Sequence, residues 1–215
     1  MADVDGNCIQ DENSLKALGQ SHFAGTFKDD GGTCLDHQLR VVMLFPKMIS
    51  DENASNLTCP VSLGEIAFAL NSFKKDRSLG LDGWPVEIYL HFFDLMGQEL
   101  LSAVDSTRVL GLIPPSLNAT FLTLIPKLDK PQTFTDFRPI SLCNLLYKLI
   151  AKVIAVRLKP FLDTGITPEH FGFLKGRQIT EPIGIVQEIL HTVKTKNICA
   201  FILKLDLIKS FDRVN

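Results

Sequence analysis

The sequence predicts an α+β chain that is mainly helical with only a few short strands. After position 60, apolar residues recur at three- and four-residue intervals between glycine and proline stops, which is the signature of helices with one buried stripe. Two segments break that rhythm, 119–125 with its β-branched and aromatic residues and 198–205 with its nearly unbroken apolar run. With 46% hydrophobic and 21% charged residues, the 215-residue chain has a globular composition. A folded chain of this size buries roughly 70% of its extended surface, enough for a core without covalent staples.

The elements follow in order. Residues 1–60 are rich in Asp, Asn, Gly and Ser, and their one apolar run, 41–45, is closed by Pro46. A weakly ordered acidic leader is expected there, with a helix around 36–45 at most. Ser62-Leu63-Gly64-Glu65 has capping-box spacing, and Ile66, Leu70 and Phe73 continue it as a stripe, so a helix starts at Ser62 and ends by Asp76. Residues 77–85 form a turn-rich connector whose glycines, Gly80 and Gly83, permit positive φ and whose Pro85 suits the first turn of the next helix. Helices over 86–96 and 98–110 are stopped by Gly111 and Pro114-Pro115. Residues 119–125 make a short strand ended by Pro126, and 127–139 read as a loop. Leu145, Leu149, Val153 and Val156 mark a helix from Asn144 to Leu158 that Pro160 closes. A glycine-punctuated loop leads to a helix from Glu181 to Lys194 with Thr180 as its cap. Ile198 to Leu205 reads as a buried strand with Asp206 at its end.

Charge excludes some functions and points to others. With 22 Lys+Arg against 24 Asp+Glu and a net charge of -2, the chain is neither a globally basic nucleic-acid binder nor an acidic tail. No apolar run approaches the roughly 18 residues of a membrane span, and the acidic N-terminus lacks the features of a secretion signal, so a soluble, non-secreted protein is expected. Cys8, Cys34, Cys59, Cys143 and Cys199 are widely spaced with no C-x-x-C pair, and read as reduced thiols. Residues 1–70 hold four basic and ten acidic residues, a balance of -6, while the remainder holds 18 and 14, a balance of +4. The basic excess gathers from Lys127 to Arg177 and reads either as solvated helix faces or as a phosphate-binding surface. Lys148, Lys152 and Arg157 favour the solvated reading.

An acid at the end of a buried strand is costly unless solvated at a cleft or bound to a cation. Asp206 and Asp212 bracket Leu207-Ile208-Lys209-Ser210-Phe211, a spacing that in isolation favours helix capping over metal binding. Its order among other motifs changes the weight. Gly80-Leu81-Asp82-Gly83-Trp84-Pro85 and Asn118-Ala119-Thr120 come first, then Leu124-Ile125-Pro126-Lys127 and Phe137-Arg138-Pro139-Ile140-Ser141-Leu142-Cys143-Asn144. Tyr147-Lys148-Leu149-Ile150-Ala151-Lys152, Gly172-Phe173-Leu174-Lys175-Gly176-Arg177-Gln178-Ile179 and Leu203-Lys204-Leu205-Asp206 follow. Together they resemble the reverse transcriptase of plant LINE-type non-LTR retrotransposons over residues 62–215, with 1–60 similar to the spacer that follows the endonuclease in such polyproteins.

That resemblance implies the helical fingers and the start of the palm of an RNA-directed DNA polymerase, truncated before the palm sheet is complete. It implies an RNA template, a DNA primer and deoxynucleoside triphosphates as partners, and Mg2+ as cofactor. Asp206 matches the first metal-binding aspartate, and the carbonyl of Leu207 an auxiliary ligand. Phe211 matches the bulky residue under the incoming sugar, and Asp212 a structural hydrogen-bonding position. Lys127 and Arg138 match the basic residues that hold the triphosphate, with Arg138 pinning its own loop as the alternative. Lys175, Gly176 and Arg177 match a template-binding segment, beside which Phe173 packs or stacks.

The sequence departs from the family's pattern where Leu79 and Leu81 stand in place of prolines, His170 in place of a glutamine and Ile208 at a polar position. The chain ends nine residues after Asp206, before the family's second metal-binding motif of two adjacent aspartates, and Asp29-Asp30 lies too far upstream to substitute. A fragment inactive on its own is expected, with low stability or aggregation where the last strand lacks partners. A non-catalytic nucleic-acid-binding module and a helical interaction protein are the alternatives. The family implies a nuclear or cytoplasmic site of action, and no compact Lys/Arg cluster supports nuclear import.

Overall fold

The hydroxyl of Ser62 accepts from the Glu65 N–H at 3.2 Å while the Glu65 carboxylate accepts from the Ser62 N–H at 2.9 Å, so the capping box forms as its spacing predicts. The architecture comes from a computed structural model that describes residues 8–28, 35–44, 49–172, 174 and 176–205. Behind the box, helix α4 (Leu63–Asn71) buries Ile66, Ala69 and Leu70. Helices α5 (Val86–His91) and α6 (Phe93–Leu110) follow, α6 stopped by Gly111 in the left-handed conformation, φ 65°. A short helix α7 (Pro115–Asn118) leads to β1 (Thr120–Pro126), a turn, β2 (Phe137–Cys143) and the long helix α8 (Leu145–Gly165). The core lies where α4, α6 and α8 meet, from Ile66 and Leu70 through Leu100 and Val104 to Leu149, Ile150 and Val153. Ile66, Leu70 and Leu149 are wholly buried, each contributing about 1.5–3 kcal/mol.

Several expectations need correction. The leader holds three helices rather than one: α1 (Glu12–Phe27), α2 (Leu35–Leu44) and α3 (Asp51–Thr58). Asp11 caps α1 through the Ser14 N–H at 2.9 Å and Ser50 caps α3 through the Asn53 N–H at 3.2 Å, each ahead of acidic residues that suit the positive end of the helix dipole. The predicted loop over 127–139 gives way at Phe137 to β2, antiparallel to β1 with Thr120 opposite Cys143 and Pro126 opposite Phe137. Pro139 argued against a strand, but in a two-stranded ribbon each strand keeps an outward edge where proline is tolerated.

Helix α8 does not stop before Pro160 but continues to Gly165, because a proline removes one helical hydrogen bond and the buried turns upstream hold the rest. Helix α9 (Glu181–Thr195) forms as expected, yet the Thr180 hydroxyl makes no capping bond, and no residue of α9 is buried. Residues 198–205 are not a strand: they pair with no described segment, and Phe201 stands 92% exposed. An apolar run predicts burial only where a partner edge is available. Among the described residues no helix is long and apolar enough to cross a membrane. Among the described residues, Cys8, Cys59, Cys143 and Cys199 are not joined in disulfides.

Candidate functional site

The register of the hairpin decides where its cations go. Ile125 lies opposite Arg138, and Lys127 follows Ile125 by two residues, so Lys127 and Arg138 share one face of the ribbon with Phe121, Thr123 and Ile140. Both cations are exposed. The Lys127 ammonium donates to the Thr135 carbonyl at 2.7 Å, and its N–H donates to the Asp136 carbonyl, also at 2.7 Å. Arg138 has no hydrogen-bond or ionic partner among the described residues, so it does not pin its own loop. The turn is held instead by Asp136, whose carboxylate accepts from the N–H groups of Thr133 and Gln132 at 2.9 Å each. Those bonds, the Thr133 N–H foremost, keep the Asp136 carboxyl below its ordinary range and commit it to the turn.

The hairpin is fixed to the core through the connector over 77–85. Gly83 takes positive φ at 69°, as the turn requires, whereas Gly80 is needed for another reason. A Cβ on Gly80 would sit 2.5 Å from the Cys143 carbonyl oxygen and 2.6 Å from Asn144 Cα and N. That approach lets the Asp82 N–H donate to Asn144 Oδ1 at 3.1 Å while Asp82 Oδ2 accepts from the Leu145 N–H at 3.4 Å, capping α8 from another segment. Two sequence motifs are thereby joined: the Gly-Leu-Asp-Gly connector and the end of β2. The sequence singles out both segments but not their contact, which joins positions 62 and 63 residues apart.

The remaining predicted site residues divide between other roles and undescribed positions. Gly176 has φ 80°. Arg177 donates to the carbonyls of Thr167, His170 at 2.7 Å and Ile166 at 2.9 Å, folding the loop after α8 around its guanidinium. Phe173, Lys175, Asp206, Leu207, Phe211 and Asp212 lie outside the described residues. Among those described, no group of three or more His, Cys, Asp and Glu side chains could hold a metal ion.

Two basic residues of the helices, both half-buried, have partners within the fold. Arg157, expected to face water, forms a salt bridge with Glu65 at 2.7 Å and donates to the carbonyls of Leu57, Cys59 and Pro60. Lys152 lies over the Phe73 ring at 6.0 Å. A cavity of about 390 Å³ between α3, α6 and α8 is lined by Leu57, Val104, Ile150 and Val153, and the arginines at its rim, Arg108 and Arg157, are both ion-paired.

Residues 125–215 match the family model for reverse transcriptase (RNA-dependent DNA polymerase). Over 211 residues, 98% of the chain, the sequence is 27% identical to the transposon TX1 uncharacterized 149 kDa protein of Xenopus laevis, of which the match covers 16%. It is 37% identical over 97 residues, 43% of the chain, to the probable RNA-directed DNA polymerase from transposon X-element of Drosophila melanogaster, covering 11% of that protein. The corresponding Drosophila melanogaster protein from transposon BS is 28% identical over 167 residues, 72% of the chain and 17% of the relative. The chain therefore spans less than a fifth of the length of the curated relatives it matches.

Proposed function

We propose, for a chain that carries part of a non-LTR retrotransposon reverse transcriptase, that the β1–β2 hairpin is its nucleotide-binding element and that Lys127 and Arg138 grip the triphosphate. The observation that carries this reading is the strand register, which brings both cations to one exposed face. A planar guanidinium with no partner among the described residues can meet two phosphate oxygens at once, and the ammonium beside it adds a point charge. The Asp136 carboxylate is held chiefly by the N–H groups of the turn, with the Lys127 charge a lesser influence on it. A LINE-type, plant-like element remains the origin that the motif order supports. RNA template and DNA primer are the accompanying partners, with Lys175, Gly176 and Arg177 on the template side, and the nucleus or cytoplasm is the place of action.

By the same resemblance, the Asp206 carboxylate and the Leu207 carbonyl would hold magnesium, which when bound supplies activation of the primer 3' oxygen and neutralisation of pyrophosphate. Phe211 would lie under the incoming sugar. Titration calorimetry with a deoxynucleoside triphosphate tests the grip itself. The double variant Lys127→Ala/Arg138→Ala should bind at least about tenfold more weakly, since bonds to charged groups contribute about 1.5–3 kcal/mol. Equal affinity of the variant and the parent overturns the assignment.

A further inference from the structure

We propose that leader helix α1 forms one wall of the phosphate pocket at the hairpin, with His22 as an added ligand for phosphate oxygens and Gly19 as the position that lets the wall close. The inference rests on the reading of Lys127 and Arg138 given above and extends the site into a segment that the match to the reverse transcriptase family model does not reach.

Helix α1 has a single buried residue, Phe23, and what buries it is the hairpin turn. Phe23 meets Phe134 edge to face with ring centroids 5.9 Å apart, and Phe134 meets Phe137 at 6.4 Å. The Phe134 ring also stacks on His22 at 6.0 Å, with the planes 29° apart. Gly19 lies under the same ring: a Cβ there would sit 3.1 Å from Phe134 Cζ and 3.3 Å from Cε1. Glycine inside a helix costs about 1 kcal/mol relative to alanine, and here its bareness admits the ring.

Beside this aromatic clasp is a cavity of about 160 Å³ whose walls are the rings of Phe23, Phe134 and Phe137 with Pro139, and whose polar lining is His22 and Thr26 from α1 and Lys127, Thr135 and Arg138 from the hairpin. At roughly 30 Å³ per water it has room for a phosphate group. The Thr26 hydroxyl donates to the His22 carbonyl at 3.0 Å, so it braces the turn that carries His22. An imidazole, a guanidinium and an ammonium around one small space are the complement of an anion. The phosphate would come from a free triphosphate or from a nucleic-acid strand.

The test uses the full 215-residue chain, titrated with inorganic tripolyphosphate and, separately, with a single-stranded RNA oligonucleotide. His22→Ala should weaken tripolyphosphate binding by about three- to tenfold, and His22→Gln, which keeps an N–H donor, should recover part of the loss. Gly19→Leu should weaken it similarly by displacing Phe134, its gain in helix propensity offsetting part of the packing lost around that ring, while circular dichroism should show the parent's helix content. A loss confined to the oligonucleotide also supports the wall and assigns the phosphate to a strand. If Lys127→Ala and Arg138→Ala lose affinity while His22→Ala and Gly19→Leu bind both ligands as the parent does, the inference fails and the hairpin assignment stands. No binding of either ligand by the parent overturns both.

Discussion

Arg157 uses all five of its N–H groups. Nε and Nη2 donate to Glu65 Oε1 and Oε2 at 2.7 and 2.9 Å, Nη1 to the carbonyls of Leu57 and Cys59 at 3.0 and 2.7 Å, and Nη2 also to that of Pro60 at 3.0 Å. The carbonyls at the C-terminal end of α3 would otherwise be unsatisfied, and Arg108 adds a bond to Thr58 at 2.9 Å. Arg157→Ala should destabilise the protein by about 2–3 kcal/mol in urea unfolding, below the roughly 3–5 kcal/mol of a fully buried pair because Glu65 keeps contact with water. Arg157→Lys should recover less than half, having three donors on one atom. The Arg157 hydrogen bonds, helped by those from Ser62, lower the Glu65 carboxyl from 4.5 to about 2. Because the folded value lies below the unfolded one, this stabilisation is complete above about pH 4.5 and is lost as pH falls towards 2. The urea midpoint should therefore drop through that window in the parent and less steeply in Arg157→Ala. Parallel profiles would remove the pair from the account.

At the scale of elements, the contact between connector and hairpin depends on a bare backbone at Gly80. Gly80→Ala places a methyl 2.5 Å from a carbonyl oxygen, and because the obstacle is backbone the chain must shift, at a cost of about 3 kcal/mol. Asp82→Ala, which removes only the cap on α8, should cost about 1 kcal/mol. Denaturant unfolding of both variants checks the order; equal losses would mean that the close approach is not what Gly80 supplies. These elements also mark what a single sequence discloses. Helix α4 was legible because its capping box and apolar stripe are local, and α6 because Gly111 ends it. Strand β2 was not, since its pairing with β1 is a property of two segments and Pro139 spoke against it from within one. Lys127 and Arg138 were legible as residue types suited to phosphate, but their common face exists only in the register. Arg157 was misread because its partner, Glu65, lies 92 positions away. His22 was missed because a histidine in a polar leader gives no sign of the hairpin it packs against.

Across the whole molecule, burial and charge are unevenly shared. The continuous core is built from residues between Val61 and Val153, and no described residue from α9 onward enters it. Ile183, Val186, Ile189 and Leu190 of α9 and Phe201, Ile202, Leu203 and Leu205 beyond it present a long run of apolar side chains to solvent. Apolar surface of this extent facing water promotes association, and the net charge of -2 offers little repulsion against it. If the fold is held by α4, α6 and α8, a chain shortened to end at Thr180 should unfold at the same temperature as the 215-residue chain, within about 2 °C. It should also remain monomeric at concentrations where the longer chain self-associates by light scattering. For a chain of this size each kcal/mol moves the midpoint by about 2–4 °C, so a fall of 5 °C or more would assign the tail a share of the core. Unchanged association would place the sticky surface elsewhere, with Val109, Leu110 and Leu112 at the end of α6 as the next exposed apolar group.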